Sequence, residues 1–199
     1  IGDLEKMGAK IEYISIPNLK YGIAVYFVLS RAEAASNLSR YDGTLYGNRS
    51  FGETLKEMYI TTRHDSFGKE VQRRIMTGNF VLSAGYKDAY YKKAQQVRNA
   101  LRAEYEAAFK NVDVIISPGA PTLPLALGSA DQDPLAMYMA DYFNVPNCMM
   151  GLPALSIPCG YTKENLPIGF QFMGPALSEA LLYQVAHAFE QAHDYHTKY

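Results

Sequence analysis

Two charged side chains stand in apolar surroundings, and together they suggest a ligand. Arg74 directly precedes the apolar pair Ile75-Met76, and Asp141 interrupts the run Leu135-Ala136-Met137-Tyr138-Met139-Ala140-Asp141-Tyr142-Phe143. A guanidinium fork matches a carboxylate bidentately, and a carboxylate matches an ammonium. Brought together, the two would clamp the zwitterionic head of a free α-amino acid. Taken singly, each also suits a charge on a solvent-facing helix surface, and the residue types leave both readings open.

Other chemistries find little support. Phosphate-cradling patterns of the GxxxxGK[ST] kind, or GxGxxG after a strand, do not occur. His187, His193 and His196 lie close in sequence without an HExxH context, and they read as a solvated helix face rather than as metal ligands. Cys148 and Cys159 lie in or beside apolar runs and read as small core residues rather than as nucleophiles. There is no GxSxG elbow. The residues of the chain therefore point to binding and not to a complete catalytic centre.

The elements that must position these side chains follow from periodicity and punctuation. Leu4 to Met7 read as the last turn of a helix closed by Gly8, so the chain reads as a piece of a longer protein. Ile11 to Ile16 are β-rich and predict a strand ended by Pro17-Asn18. An apolar, alanine-rich helix is expected over 21–37, a short helix over 54–62, a helix over 68–80 that carries Arg74, and a long amphipathic helix over 88–109. Val114 to Pro118 read as a strand buried on both faces. Asp133-Pro134 predict an N-cap and first helical turn, opening a helix to Phe143 on which Asp141 would ride. Ala154–Pro158 and Ile168–Met173 read as strands joined by a connection too short for a crossover helix, hence antiparallel. Ser178 caps a final helix with an apolar stripe over Leu181, Leu182, Val185, Ala188 and Phe189. The expected fold class is α/β: a layered fold with a mixed, mostly buried β-sheet flanked by helices, forming one unit over residues 1–199.

Composition narrows the setting. With a formal net charge of −1, the chain has no basic field to grip nucleic acid by itself. Two cysteines without a pairing pattern fit a reducing compartment, and the acidic residues near Ile1 do not suit a signal peptide. No apolar run reaches the length of a membrane span. A cytoplasmic location is expected.

Several stretches carry a resemblance to a known family. Ala32-Glu33-Ala34-Ala35-Ser36-Asn37-Leu38-Ser39-Arg40-Tyr41-Asp42-Gly43 is one. Phe67-Gly68-Lys69-Glu70-Val71-Gln72-Arg73-Arg74-Ile75-Met76-Thr77-Gly78 is another, continuing through Leu82-Ser83-Ala84-Gly85-Tyr86 to Gln95. Asp133 to Tyr138, Gly151 to Gly160 and Leu166 to Gln171 complete the set. In this order they resemble the amidase-signature family, and within it the glutaminase (A) subunits of tRNA-dependent amidotransferases. The resemblance implies the amidase-signature fold, with this chain as its C-terminal half.

It also implies glutamine hydrolysis, in which a Ser–cis-Ser–Lys triad attacks the side-chain amide and releases ammonia. The triad lies in a Gly/Ser-rich stretch upstream of every segment matched here, and no such stretch occurs between Ile1 and Tyr199. No catalytic residue is therefore carried over, and this chain alone is expected to be inactive. The substrate pocket is carried over instead. Arg74 stands at the arginine that binds the glutamine α-carboxylate, Asp141 at the acid that holds its α-ammonium, and Tyr26 at a tyrosine lining the pocket. Val25-Tyr26-Phe27 departs from the family's usual paired tyrosines. No cofactor is implied in this chain. ATP and magnesium are expected on a partner B subunit, with a C subunit beside it and tRNA held mainly by B. The ammonia would convert Glu-tRNA(Gln) to Gln-tRNA(Gln), or act in the corresponding Asp-tRNA(Asn) reaction. Two alternatives are a general amidase acting on non-amino-acid amides, which has no use for the clamp, and a non-catalytic interaction domain.

Overall fold

The computed structural model describes residues 1–128 and 134–197. The expected N-cap at Asp133 lies outside the described residues. In chain order the elements are α1 (Gly2–Lys6), a 3-10 turn at Pro17–Tyr21, α2 (Gly22–Asn37), α3 (Leu55–Ser66), α4 (Lys69–Leu82), a π-helical turn at Lys87–Lys92, α5 (Lys93–Ala108), β1 (Ile115–Pro118), α6 (Pro134–Met139), α7 (Val145–Met150), β2 (Ala154–Tyr161), β3 (Pro167–Met173) and α8 (Glu179–Ala192). They fall into two compact units, Ile1–Ile23 with Arg98–Tyr199, and Ala24–Val97.

In the first unit the strands run in the order β1-β3-β2. Successive strand residues point to opposite faces, and the end of β3 shows what that does. Phe172 packs with Leu4, Ile157 and the α8 residues Leu182, Ala186 and Phe189. Its neighbour Met173 packs with Leu101 and Tyr105 of α5 and Met150 of α7. The sheet is thus a middle layer with helices on both sides. Burial pushes the Tyr105 phenol up to about 12, with smaller contributions from Tyr142 and Glu104.

The layered α/β arrangement and the β2–β3 hairpin match expectation, and three details differ. The sheet is not mixed: among the described residues every pairing is antiparallel, Ile116 opposite Phe172 on one side and Leu155 opposite Phe172 on the other. β1 is not buried on both faces: its residues alternate between partly buried and exposed, and Ile116 stays 37% exposed. Residues 11–16 form no strand. Ile11 and Ile16 are held by packing against the two cores, and Asn18 is tied through its backbone N–H and side-chain amide to the Glu104 carboxylate at 3.0 and 2.5 Å.

In the second unit, α2 and α4 approach so closely that a Cβ at Gly78 would collide with the Arg31 carbonyl oxygen and with the Ala35 methyl group. Ala32 and Ala35, both buried, keep the α2 side of the contact thin. Gly78→Ala is expected to destabilise the protein by about 3 kcal/mol, since backbone and not a flexible side chain must move. Urea unfolding measures it, and an unchanged midpoint would show that the two helices have room to separate. α3 opens with a reciprocal capping box. Thr54 Oγ1 accepts from the Glu57 N–H at 3.1 Å, and the Glu57 carboxylate accepts from the Thr54 N–H at 3.2 Å.

Candidate functional site

Arg74 sits one turn beyond Glu70 on α4, a spacing that places both on the same helix face. Its Nε donates to Glu70 Oε1 at 2.9 Å, and its side chain remains 35% exposed. The bond to Glu70 raises the guanidinium pKa, burial opposes it, and the charge of Glu70 and the hydroxyl of Tyr26 add to the rise. Tyr26, half-buried on α2, is therefore a near neighbour of Arg74 although the two are far apart in sequence. The α2–α4 contact at Gly78 is what brings them together.

Asp141 belongs to the other unit. It does not ride on a helix, because α6 ends at Met139 and Asp141 lies in a turn before α7. Pro146, in the first turn of α7, marks where that helix begins. A proline inside a continuous helix removes one hydrogen bond and clashes with the carbonyl four residues back, whereas in the first turn it is tolerated. The turn closes through Asp141 N–H to Tyr138 O at 3.2 Å, and the Asp141 carbonyl accepts from Asn144 and Val145 N–H, both at 3.0 Å. Asp141 itself is exposed.

One residue that holds this turn is not evident from the sequence. Gln171, in the middle of β3 and only 3% exposed, donates through Nε2 to Phe143 O at 2.6 Å and to Ser117 Oγ at 2.9 Å. Its amide ties the end of the Asp141 turn to the sheet. The available signal is a lone amide in the apolar strand Ile168–Met173. Gln171→Leu is expected to cost about 2 kcal/mol, because the partly buried Phe143 carbonyl loses its donor. Thermal or urea unfolding checks this, and a loss under about 0.5 kcal/mol would show that water replaces the amide.

Of the remaining candidates, Cys148 is exposed and not the core residue expected of it. Cys159 is partly buried, and burial raises its thiol pKa, which disfavours the thiolate a nucleophile needs. His193 does not lie on a solvated face. Its ring packs against Phe189 and Tyr195 at centroid distances of 4.4 and 5.3 Å, and Nε2 is 3.5 Å from Asp3 Oδ2. Among the described residues, no group of three His, Cys, Asp or Glu side chains is placed to hold a metal, and no helix is long and apolar enough to cross a membrane. Two cavities in the second unit, of about 250 and 420 Å³, lie around Tyr41–Asn48 and around Tyr59, Arg63 and Asn79, and neither is lined by Arg74 or Tyr26.

Comparison with known proteins gives a consistent picture. Over 196 residues, 98% of this chain, the sequence is 51% identical to the A subunit of glutamyl-tRNA(Gln) amidotransferase from Bacillus cytotoxicus. The chain spans 40% of the length of that relative. The crystal structure of the corresponding A subunit from Thermotoga maritima matches 94% of the chain and 36% of its own, with a TM-score of 0.68 and 37% identity. Allophanate hydrolase of Kluyveromyces lactis matches 95% of the chain and 28% of its own, with a TM-score of 0.70 at 20% identity, a likeness of fold alone. The family model described as Amidase covers residues 1–183, and the chain belongs to that family.

Proposed function

We propose that this chain is the substrate-orienting half of a glutamine-hydrolysing amidotransferase subunit. The observation that carries the reading is Arg74, a partly exposed arginine fixed at one edge by Glu70 and bordered by Tyr26. An arginine so held presents its other donors to a carboxylate, and glutamine supplies one. Asp141, exposed in its own turn, holds the α-ammonium. With both ends of the amino acid fixed, the side-chain amide is oriented for attack, which converts an encounter into a near-unimolecular step. The clamp also discriminates, since a ligand lacking either charge leaves a pocket group unpaired.

The nucleophile belongs to a part of the amidase-signature domain that this chain does not contain, and residues 1–199 form the C-terminal half of that domain. The ammonia passes to a B subunit, which uses ATP and magnesium to amidate Glu-tRNA(Gln). A C subunit completes the complex, and B supplies most of the grip on tRNA, in keeping with the net charge of −1 here. The complex works in the cytoplasm. The 51% identity to a protein carrying that subunit's name supports this assignment over a general amidase. Reading the coding sequence on the 5′ side of Ile1 tests it. A Gly/Ser-rich stretch with an upstream lysine is expected, and its absence would remove the enzyme.

A further inference from the structure

Glu70 is the centre of a three-arginine cluster that links the two helices of the candidate pocket. Its Oε2 lies 2.7 Å from Arg73 Nη1, and its Oε1 lies 2.9 Å from Arg74 Nε and 4.0 Å from Arg31 Nη2. Arg73 and Arg74 reach it along α4 itself, at spacings whose surface ion pairs contribute little to stability. Arg31 differs. It comes from α2, its side chain is only 3% exposed, and it is pinned. Its guanidinium carbon lies 3.5 Å from the centroid of the Phe27 ring, and Nη1 donates to Phe27 O at 3.4 Å. Phe27 is the residue after Tyr26, so the element that carries Tyr26 also carries the buried guanidinium that lies 4.0 Å from Glu70.

A surface pair of two long side chains samples many rotamers, whereas a carboxylate held by a buried, stacked guanidinium on a second helix does not. We propose that Glu70 is a positioning residue for substrate binding: anchored by Arg31, it takes the Nε edge of Arg74 and turns the remaining guanidinium donors toward the ligand carboxylate. The arrangement spreads one guanidinium over two carboxylates, Glu70 at one edge and the α-carboxylate of the amino acid at the other, as its five fixed donors permit. This rests on the reading of Arg74 as the glutamine carboxylate site. Glu70 touches no reacting atom. It acts only through Arg74.

The test is a double-mutant cycle in the full-length amidase, with glutamine hydrolysis as readout and thermal unfolding as the control for folding. Glu70→Gln keeps the size of the side chain and removes the charge. It is expected to raise KM for glutamine about tenfold, within the range for contacting residues, with kcat within twofold. In an Arg74→Ala background the same change is expected to leave kcat/KM, read from the linear region below saturation, unaltered, because there is no guanidinium left to orient. Arg73→Ala removes the other exposed pair and is expected to leave KM within twofold. An unchanged KM in Glu70→Gln overturns the inference, as does an equal loss with and without Arg74, which would mark Glu70 as a general structural charge. If Arg74→Ala itself leaves KM unchanged, the carboxylate site is wrong and the role of Glu70 falls with it. If Arg74→Ala raises KM and Glu70→Gln does not, only the positioning role fails.

Discussion

Replacing Arg74 by alanine lowers kcat/KM for glutamine about 100-fold, roughly 3 kcal/mol of lost binding, while the protein keeps its fold. The size follows from what Arg74 does in the structure. Its bond to Glu70 is an intrahelical pair on a side chain 35% exposed, so removing it costs little stability. The charge-assisted, bidentate contact to a ligand carboxylate is a different matter, because its loss leaves that carboxylate desolvated without a partner. The loss is expected in KM, since the carboxylate lies away from the amide that reacts and is held equally in the ground and transition states. Lysine restores charge without the fork and is expected to recover only part of the affinity. Steady-state glutaminase assays of the three proteins measure it. Equal KM values would mean that Arg74 is a surface charge and that the pocket lies elsewhere.

The largest stability effect is expected at the sheet. Phe172 is fully buried, pairs in register with β1 and β2 at once, and packs edge-on against Phe170 at 4.7 Å between ring centroids. Phe172→Ala removes a ring from the point where α1, α8 and the three strands meet, and the strand pairing prevents the site from collapsing around the void. A cost of about 4 kcal/mol is expected, a large share of the stability of an ordinary domain. Because Gln171 precedes it and holds the Asp141 turn through Phe143, glutamine binding is expected to weaken in the same variant. Urea unfolding measures the first effect. A loss below about 1 kcal/mol would contradict the packing described here.

How much of this could be read from the residues varies by element, for physical reasons. α5 and α8 announce themselves through apolar stripes, α2 through an apolar, alanine-rich run, and the β2–β3 hairpin through two apolar runs with a connection too short to cross over. The segment Ile11–Ile16 has the composition of a strand without becoming one, because strand formation requires a neighbouring backbone and composition does not report one. The helix expected to reach Phe143 stops at Met139, and Pro146 marks only the start of the next helix at Val145. Arg74 and Asp141 are visible as charges in apolar company. Their supports are not. Glu70 reads as one more acid on a charged helix until the α2–α4 crossing brings Arg31 to it, and Gln171 gains its role only from a turn folded onto β3. Tyr26 is reached through resemblance alone, and its nearness to Arg74 depends on a glycine contact that no periodicity encodes.

The central claim is that this chain holds the head group of glutamine, and a crystal structure of the full-length protein with glutamine bound tests it most directly. The α-carboxylate is expected within about 3 Å of the Arg74 guanidinium and the α-ammonium at the Asp141 carboxylate. Glutamine bound with its carboxylate in solvent or on another cation, and Arg74 still engaged only with Glu70, would contradict it.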